Sequence, residues 1–239
     1  PGGGRDARGA DRAAGSPETC LTAESILTML DEGLDADGFR ERTGVSRETL
    51  ARFEIWRSML EERNAVMNLV GRSTLPDFWH RHALDSWQIQ THAPEADHWL
   101  DLGAGAGFPG FAIAFALMER DGEGSVTLVE SVQKKASFLR DVADATKAPA
   151  IVKPVRAESL DPHSRYQVVT ARALTSLTRL IEYAKPFVDN GAICLFPKGA
   201  RYGEELTEAR KSWTFNLDVI PSLTSPDAAI LRIEDVTRV

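Results

Sequence analysis

The chain changes rhythm once. Up to about Pro94 apolar residues recur three and four apart, and from His98 onward short apolar runs alternate with helical stretches. Leu21, Leu27 and Leu30 fall on one helical face, which predicts a helix over Thr22–Leu30. Ser46 suits an N-cap and Glu48 follows in the first turn. Leu50, Phe53, Trp56, Met59, Leu60 and Met67 then carry the helical spacing to about Asn68. Pro76 opens a third helix, expected to reach about His92 with Phe78, His82, Asp85 and Ile89 on one face. Strands are predicted near His98–Leu102, Ser125–Glu130, Ala150–Val155, Tyr166–Ala171, Ala192–Phe196, Thr214–Ile220 and Ala228–Ile233. Helical patterns at Pro109–Met118, Val132–Thr146 and Leu174–Phe187 separate the early strands. The fold class is therefore α/β, a mostly parallel sheet with helices on both faces. The short Pro221–Ala228 connection suits an antiparallel final pair.

Pro1–Thr19, rich in Gly, Ala, Arg and Asp, has no apolar periodicity and is expected to be disordered. The expected organisation is a tail over 1–20, a helical extension over 21–95 and the sheet domain over 96–239. With 43% hydrophobic and 26% charged residues, the chain can bury a sizeable core. The longest apolar run, Gly110–Met118, is about half of the ~20 residues a membrane span needs. No apolar segment follows the Arg-bearing start, so no secretory signal is expected. Cys20 and Cys194 make neither a disulfide framework nor a metal site, and a reducing cytoplasm fits. A net charge of −7 excludes a strongly basic nucleic-acid binder and gives no reason to expect DNA as partner. RNA would need a local basic face, for which Arg72, Arg81, Lys134, Lys135, Arg172, Lys185, Lys198 and Arg201 are candidates.

The chemistry centres on Asp101-Leu102-Gly103-Ala104-Gly105-Ala106-Gly107-Phe108-Pro109-Gly110. Its glycines allow positive φ and close approach of a ligand, and Pro109 suits the first helical position. Strand, glycine turn and helix bind nucleotide-like cofactors at the carboxyl end of a strand. Gly105–Gly110 also reads as a dinucleotide fingerprint, but Pro109 removes an N–H that a pyrophosphate would use. S-adenosylmethionine carries no phosphate and two cationic groups, so Asp101 before the glycines favours it. Glu130, at the end of the second predicted strand, can accept two ribose hydroxyls. His82 and Asp85 stand three apart, so Asp85 is expected to orient the imidazole. The alternative is a satisfied surface pair. Arg172 and Lys198 follow the fourth and fifth strands, where the cofactor cleft should open; a surface salt bridge is the bland alternative for Arg172. No Walker-type Gly-Lys-Ser/Thr is present, which disfavours nucleotide hydrolysis.

Together these residues resemble the RsmG (GidB) family of S-adenosylmethionine-dependent methyltransferases, which modify N7 of a guanine in bacterial 16S ribosomal RNA. The matching pieces are Asn68-Leu69, Arg81-His82-Ala83-Leu84-Asp85-Ser86, Asp101–Gly110, Glu130-Ser131, Lys134-Lys135, Phe138-Leu139-Arg140, Arg156-Ala157-Glu158, Thr170-Ala171-Arg172-Ala173-Leu174 and Lys198-Gly199. The resemblance covers about Thr22 to Val239; Val70 and Ala104 stand where the family often has threonine. It implies a class I methyltransferase sheet of about seven strands. It also implies cofactor contacts from Gly103, Phe108, Ala157, Glu158 and Arg172, beside those expected of Asp101, Gly105 and Glu130.

Guanine N7 carries an in-plane lone pair, so direct in-line transfer needs no general base, and orientation supplies most of the acceleration. His82, Asp85 and Lys198 are expected at the reacting centre, His82 positioning and Asp85 stabilising the positive charge that moves onto guanine. Arg81, Lys134, Lys135 and Lys198 are expected on RNA. The implied partner is 16S RNA or the small ribosomal subunit, with a cytoplasmic monomer and no metal. Rival readings are a methyltransferase for a small molecule or protein, a non-catalytic S-adenosylmethionine-binding scaffold, and a dinucleotide oxidoreductase.

Overall fold

A computed structural model describes residues 33–120 and 123–239. The expected tail and the helix over Thr22–Leu30 lie outside the described residues. Helix α1 (Ala36–Thr43) is capped by Asp35, whose carboxylate accepts the Gly38 N–H at 2.8 Å, and ends at Gly44 with φ +73°. Ser46 caps α2 (Arg47–Met67) by accepting the Thr49 N–H, as its position predicts.

The expected third helix is broken into unlike pieces. Within it a π-helical turn covers Trp79–Leu84 and only Asp85–Gln90 is α-helical (α3), and a separate 3₁₀ turn at Arg72–Thr74 precedes it. The Asp85 N–H reaches back five residues to the His80 carbonyl. Apolar periodicity cannot register this widening, which side-chain contacts described below hold in place. Such turns recur at functional sites.

The sheet has the order β3-β2-β1-β4-β5-β7-β6, with β1 His98–Leu102, β2 Ser125–Val129, β3 Ala150–Lys153, β4 Val168–Thr170, β5 Ile193–Lys198, β6 Trp213–Pro221 and β7 Ala229–Arg238. β1 to β5 run parallel, and β7 pairs antiparallel with both β5 and β6. The expected antiparallel ending is present. Chain order reverses between β1 and β4, and ligands of open α/β sheets bind at the carboxyl ends beside such a reversal.

Helix α4 (Gly110–Met118) is apolar all round because the sheet lies under it and α2 and α3 lie over it. Phe53 meets Phe115 with ring centroids 5.0 Å apart, and Trp56 meets Phe111 at 5.4 Å. Each of these fully buried rings contributes roughly 1.5–3 kcal/mol. The helices from Gly33 to residue 95 thus share one core with the sheet, and no packing boundary falls at the expected 95/96 junction. Helix α5 (Gln133–Thr146) joins the same core through Phe138 and Leu139, whereas on the opposite face Leu100, Leu102 and Val169 share a second core with α6 (Leu177–Val188) and α7 (Tyr202–Ala209). The period-2 alternation in β1 sends Leu100 and Leu102 to that face, and Trp99 to the α4 face.

Candidate active site

The loop after β1 is drawn tight by its glycines. Gly103, Gly105 and Gly107 have φ of +69°, +56° and +97°. Ala104 N–H donates to the Val129 carbonyl, and the Trp56 indole N–H donates to the Ala106 carbonyl at 3.0 Å. Glu130 brackets the loop: one carboxylate oxygen accepts the Gly105 N–H at 3.1 Å and the other accepts the Val132 N–H at 2.8 Å. Pro109 is not the first helical residue as expected. It occupies the N-cap, and α4 begins at Gly110, whose N–H donates to Asp101 Oδ2 at 3.1 Å.

Asp101 therefore sits below the loop. Its side chain is fully buried, one oxygen is spent on Gly110, and burial raises its carboxyl well above the usual carboxylate range. Oδ2 braces β1 to α4, and Oδ1 is buried with no hydrogen-bond partner among the described residues. Phe108 is likewise internal, 4% exposed, with Trp56 at 4.3 Å between ring centroids and His82 stacked at 4.7 Å.

Arg172, just beyond β4, is the node that joins these parts. Its guanidinium donates to Asp85 Oδ2 at 3.0 Å, to His82 Nδ1 at 2.9 Å and to the Arg81 carbonyl at 3.3 Å. It also lies 4.6 Å from the centre of the Phe108 ring. His82 and Asp85 thus grip one guanidinium. The expected orientation of His82 by Asp85 is not what fixes the ring: Thr74 Oγ1, 3.0 Å from Nε2, and Arg172 do so. Asp85 Oδ1 instead accepts from the Thr224 hydroxyl at 2.7 Å and from Gln88 Nε2 at 3.1 Å. Gln88 Oε1 in turn accepts the Leu223 N–H. Thr74, Gln88 and Thr224 carried no signal in the sequence. Thr224 reaches Asp85 from the β6–β7 loop, 139 residues away.

The tautomer of His82 follows. Arg172 can only donate, so Nδ1 accepts and the ring proton sits on Nε2, which donates to Thr74 Oγ1; the Thr74 hydroxyl donates to the Gly71 carbonyl. Burial first, then the Arg172 and Arg81 charges, push the imidazole pKa down to about 3. Nitrogen-15 NMR should find this neutral tautomer unchanged between about pH 8 and about pH 5; a titration near the ordinary histidine value would contradict it. The folded pKa lies below the unfolded one, so protonation favours unfolding. This contribution to stability is complete above about pH 6.5 and is lost as pH falls toward 3, by at most about 1.4 kcal/mol per pH unit.

Beside Arg172 opens a cleft of about 800 Å³, walled by the π-helical turn, the β4–α6 loop, the end of β5 and the β6–β7 loop. Arg81, His82, Asp85, Arg172 and Lys198 all line it. Lys198 is held: Nζ contacts Glu205 Oε2 at 2.7 Å and the Thr175 carbonyl at 3.4 Å, with 9% of the side chain exposed. Leu174 lines the cleft and also covers Gly103, where an added Cβ would lie 2.5 Å from Leu174 Cδ1. The remaining expected residues stand elsewhere. Lys134 and Lys135 occupy the first turn of α5, and Ala157 and Glu158 form a 3₁₀ turn beyond β3 in which Glu158 accepts from the Tyr183 hydroxyl at 2.9 Å.

A family model described as GidB, rRNA small subunit methyltransferase G, matches residues 49–229. The ribosomal RNA small subunit methyltransferase G of Cereibacter sphaeroides (strain ATCC 17029 / ATH 2.4.9) is 41% identical over 220 residues, covering 92% of this chain and all of that protein. Its namesake in Methylobacterium sp. (strain 4-46) is 45% identical over 204 residues, covering 85% and 96% of the two chains. Among solved structures, an O-methyltransferase from Bacillus cereus in complex with SAH superposes with a TM-score of 0.54 at 13% identity, over 76% of this chain and 91% of that one. A putative O-methyltransferase from Klebsiella pneumoniae gives a TM-score of 0.51 at 10% identity, over 76% and 90%. These two likenesses bear on the fold, which is that of the class I methyltransferases. The match over most of the chain, and the relatives that share more than two-fifths of its residues, place it in a family: the chain belongs to the GidB (rRNA small subunit methyltransferase G) family.

Proposed function

We propose that this rRNA methyltransferase transfers the methyl group of S-adenosylmethionine to N7 of a guanine in 16S ribosomal RNA. One observation carries the reading: Arg172 stands where the glycine loop of β1 meets a cleft that bears several charged side chains and is large enough for a nucleobase. The donor fits the loop chemically. A Cβ at Gly105 would meet nothing nearer than the Gly103 carbonyl at 3.7 Å, so the backbone there faces open space. Glu130 uses one site on each oxygen for backbone N–H groups, and a carboxylate has about four, so two remain for ribose hydroxyls. Gly103, Gly105 and Glu130 would hold the donor, with Ala157 and Glu158 bordering its adenine. When bound, the sulfonium supplies an electrophilic methyl.

The protein's residues then position and exclude. Guanine N7 needs no proton removed, which agrees with a His82 that is neutral and already spends both nitrogens on Thr74 and Arg172. Asp85 neutralises Arg172, so that guanidinium adds no net positive charge to the cleft in which the base becomes cationic. Arg81 is exposed at the cleft and suits an RNA phosphate, whereas Lys198 is committed to Glu205. Lys134 and Lys135 would touch RNA only along a separate edge. Among the described residues no helix is long and apolar enough to cross a membrane. The cytoplasm is the compartment we assign.

Incubation with methyl-labelled S-adenosylmethionine tests the class of acceptor. Label should enter 16S RNA or small subunits, and the yield should fall steeply with added salt as phosphate contacts are screened. Label in protein or a small molecule, with none in RNA, would favour the rival acceptors.

A further inference from the structure

Among the described residues three carboxylates face the cleft: Asp77, Asp85 and Glu205. Two of them are committed. Asp85 accepts from Arg172, Thr224 and Gln88, and Glu205 Oε2 accepts from Lys198 and from the Leu177 N–H. Asp77 is different. Its carboxylate makes no hydrogen bond among the described residues, the nearest basic nitrogen paired with it being His80 Nδ1 at 3.8 Å, and 42% of the side chain is exposed. The cations divide in the same way. Arg172 and Lys198 are held by acids, whereas exposed Arg81 makes no side-chain hydrogen bond or ion pair among the described residues.

We infer that Asp77 reads the acceptor base, its two carboxylate oxygens accepting N1–H and N2–H of guanine. The inference rests on the guanine reading above and adds the residue that selects the base. A guanine offers these two donors side by side on its Watson–Crick edge, matching a carboxylate. Adenine offers an acceptor at N1, which a carboxylate repels. N7 lies on the opposite edge, so a base held by Asp77 turns N7 away from that wall. Methylation makes the base cationic and its N1–H more acidic. The contact therefore strengthens as the charge develops, which favours the transition state over the ground state. Asp77 suits this because no protein cation already compensates it. Arg81, four residues on, is placed to take a flanking phosphate.

The test uses the full chain with 16S RNA carrying either guanosine or inosine at the modified position, inosine lacking only the 2-amino group. Asp77→Asn should lower kcat/KM on guanosine RNA by roughly ten- to a hundredfold, the range of a bidentate base contact. Affinity for S-adenosylhomocysteine, measured by calorimetry, should stay the same. Inosine should cost the wild type about tenfold and cost Asp77→Asn nothing further, because the variant has already lost the partner of that amine. Asp77→Glu should restore part of the discrimination. Wild-type activity for Asp77→Asn, or an inosine penalty of equal size in both proteins, overturns the assignment while leaving the guanine reading intact. A wild-type product methylated on another base overturns both.

Discussion

Arg172→Ala is expected to lose at least about a hundredfold in kcat/KM and about 2–3 kcal/mol of stability. The guanidinium is the shared partner of Asp85, His82 and the Arg81 carbonyl, and it covers the face of Phe108. Its removal leaves the Asp85 charge uncompensated and His82 Nδ1 without a donor. Breaking a buried ion pair from one side costs about 3–5 kcal/mol, and the smaller figure here allows for the fifth of each side chain that meets solvent. The larger effect is on rate, because displacing the walls of a reaction cleft by about 1 Å can cost a hundredfold. Arg172→Lys keeps the charge but cannot fork between Asp85 and His82, so it should regain stability more than rate. Thermal unfolding and steady-state kinetics on RNA check both statements. An alanine variant of unchanged kcat/KM would remove Arg172 from the centre of the site.

Gly107→Ala should be the most damaging substitution in the glycine loop, at about 2–5 kcal/mol. Its φ of +97° strains any residue with a Cβ, and that Cβ would lie 2.2 Å from Phe111 Cδ2 and 3.3 Å from Leu139 Cδ2. Backbone strain of about 1–3 kcal/mol and overpacking of about 1–3 kcal/mol act together, since Phe111 is fully buried and cannot swing aside. Gly105→Ala is the matched control. Its φ of +56° is the mildest of the loop and its Cβ would project into open space. That variant should keep most of its stability and lose affinity for S-adenosylhomocysteine. Denaturant melts and calorimetry separate the two losses. Equal destabilisation at both positions would mean that the loop is uniformly packed and offers no groove.

The contrast between these two glycines marks what the sequence could and could not convey. The three glycines, the strands around them and the N-cap at Ser46 follow from local rules, and each stands where those rules put it. The antiparallel return of β7 follows from a short connection. What depended on distant partners was not legible. Nothing local announces that Asp101 accepts the Gly110 N–H, or that Phe108 packs against Trp56 and His82. Around the π-helical turn His82 meets Thr74 and Arg172 while Asp85 meets Thr224 and Arg172, and no periodicity in residues 76–92 encodes those partners. Helix α7 lacked a long apolar stripe, and its Glu205 matters through Lys198 and the start of α6. The Arg81–Ser86 stretch was identifiable as part of a site, but the distribution of its contacts was not.

The most direct measurement is the position of the methyl group. RNA methylated by the protein with S-adenosylmethionine should, after borohydride reduction and aniline treatment, break at a single guanine of 16S RNA, the signature of 7-methylguanosine. Label incorporated into RNA without that cleavage would contradict transfer to N7.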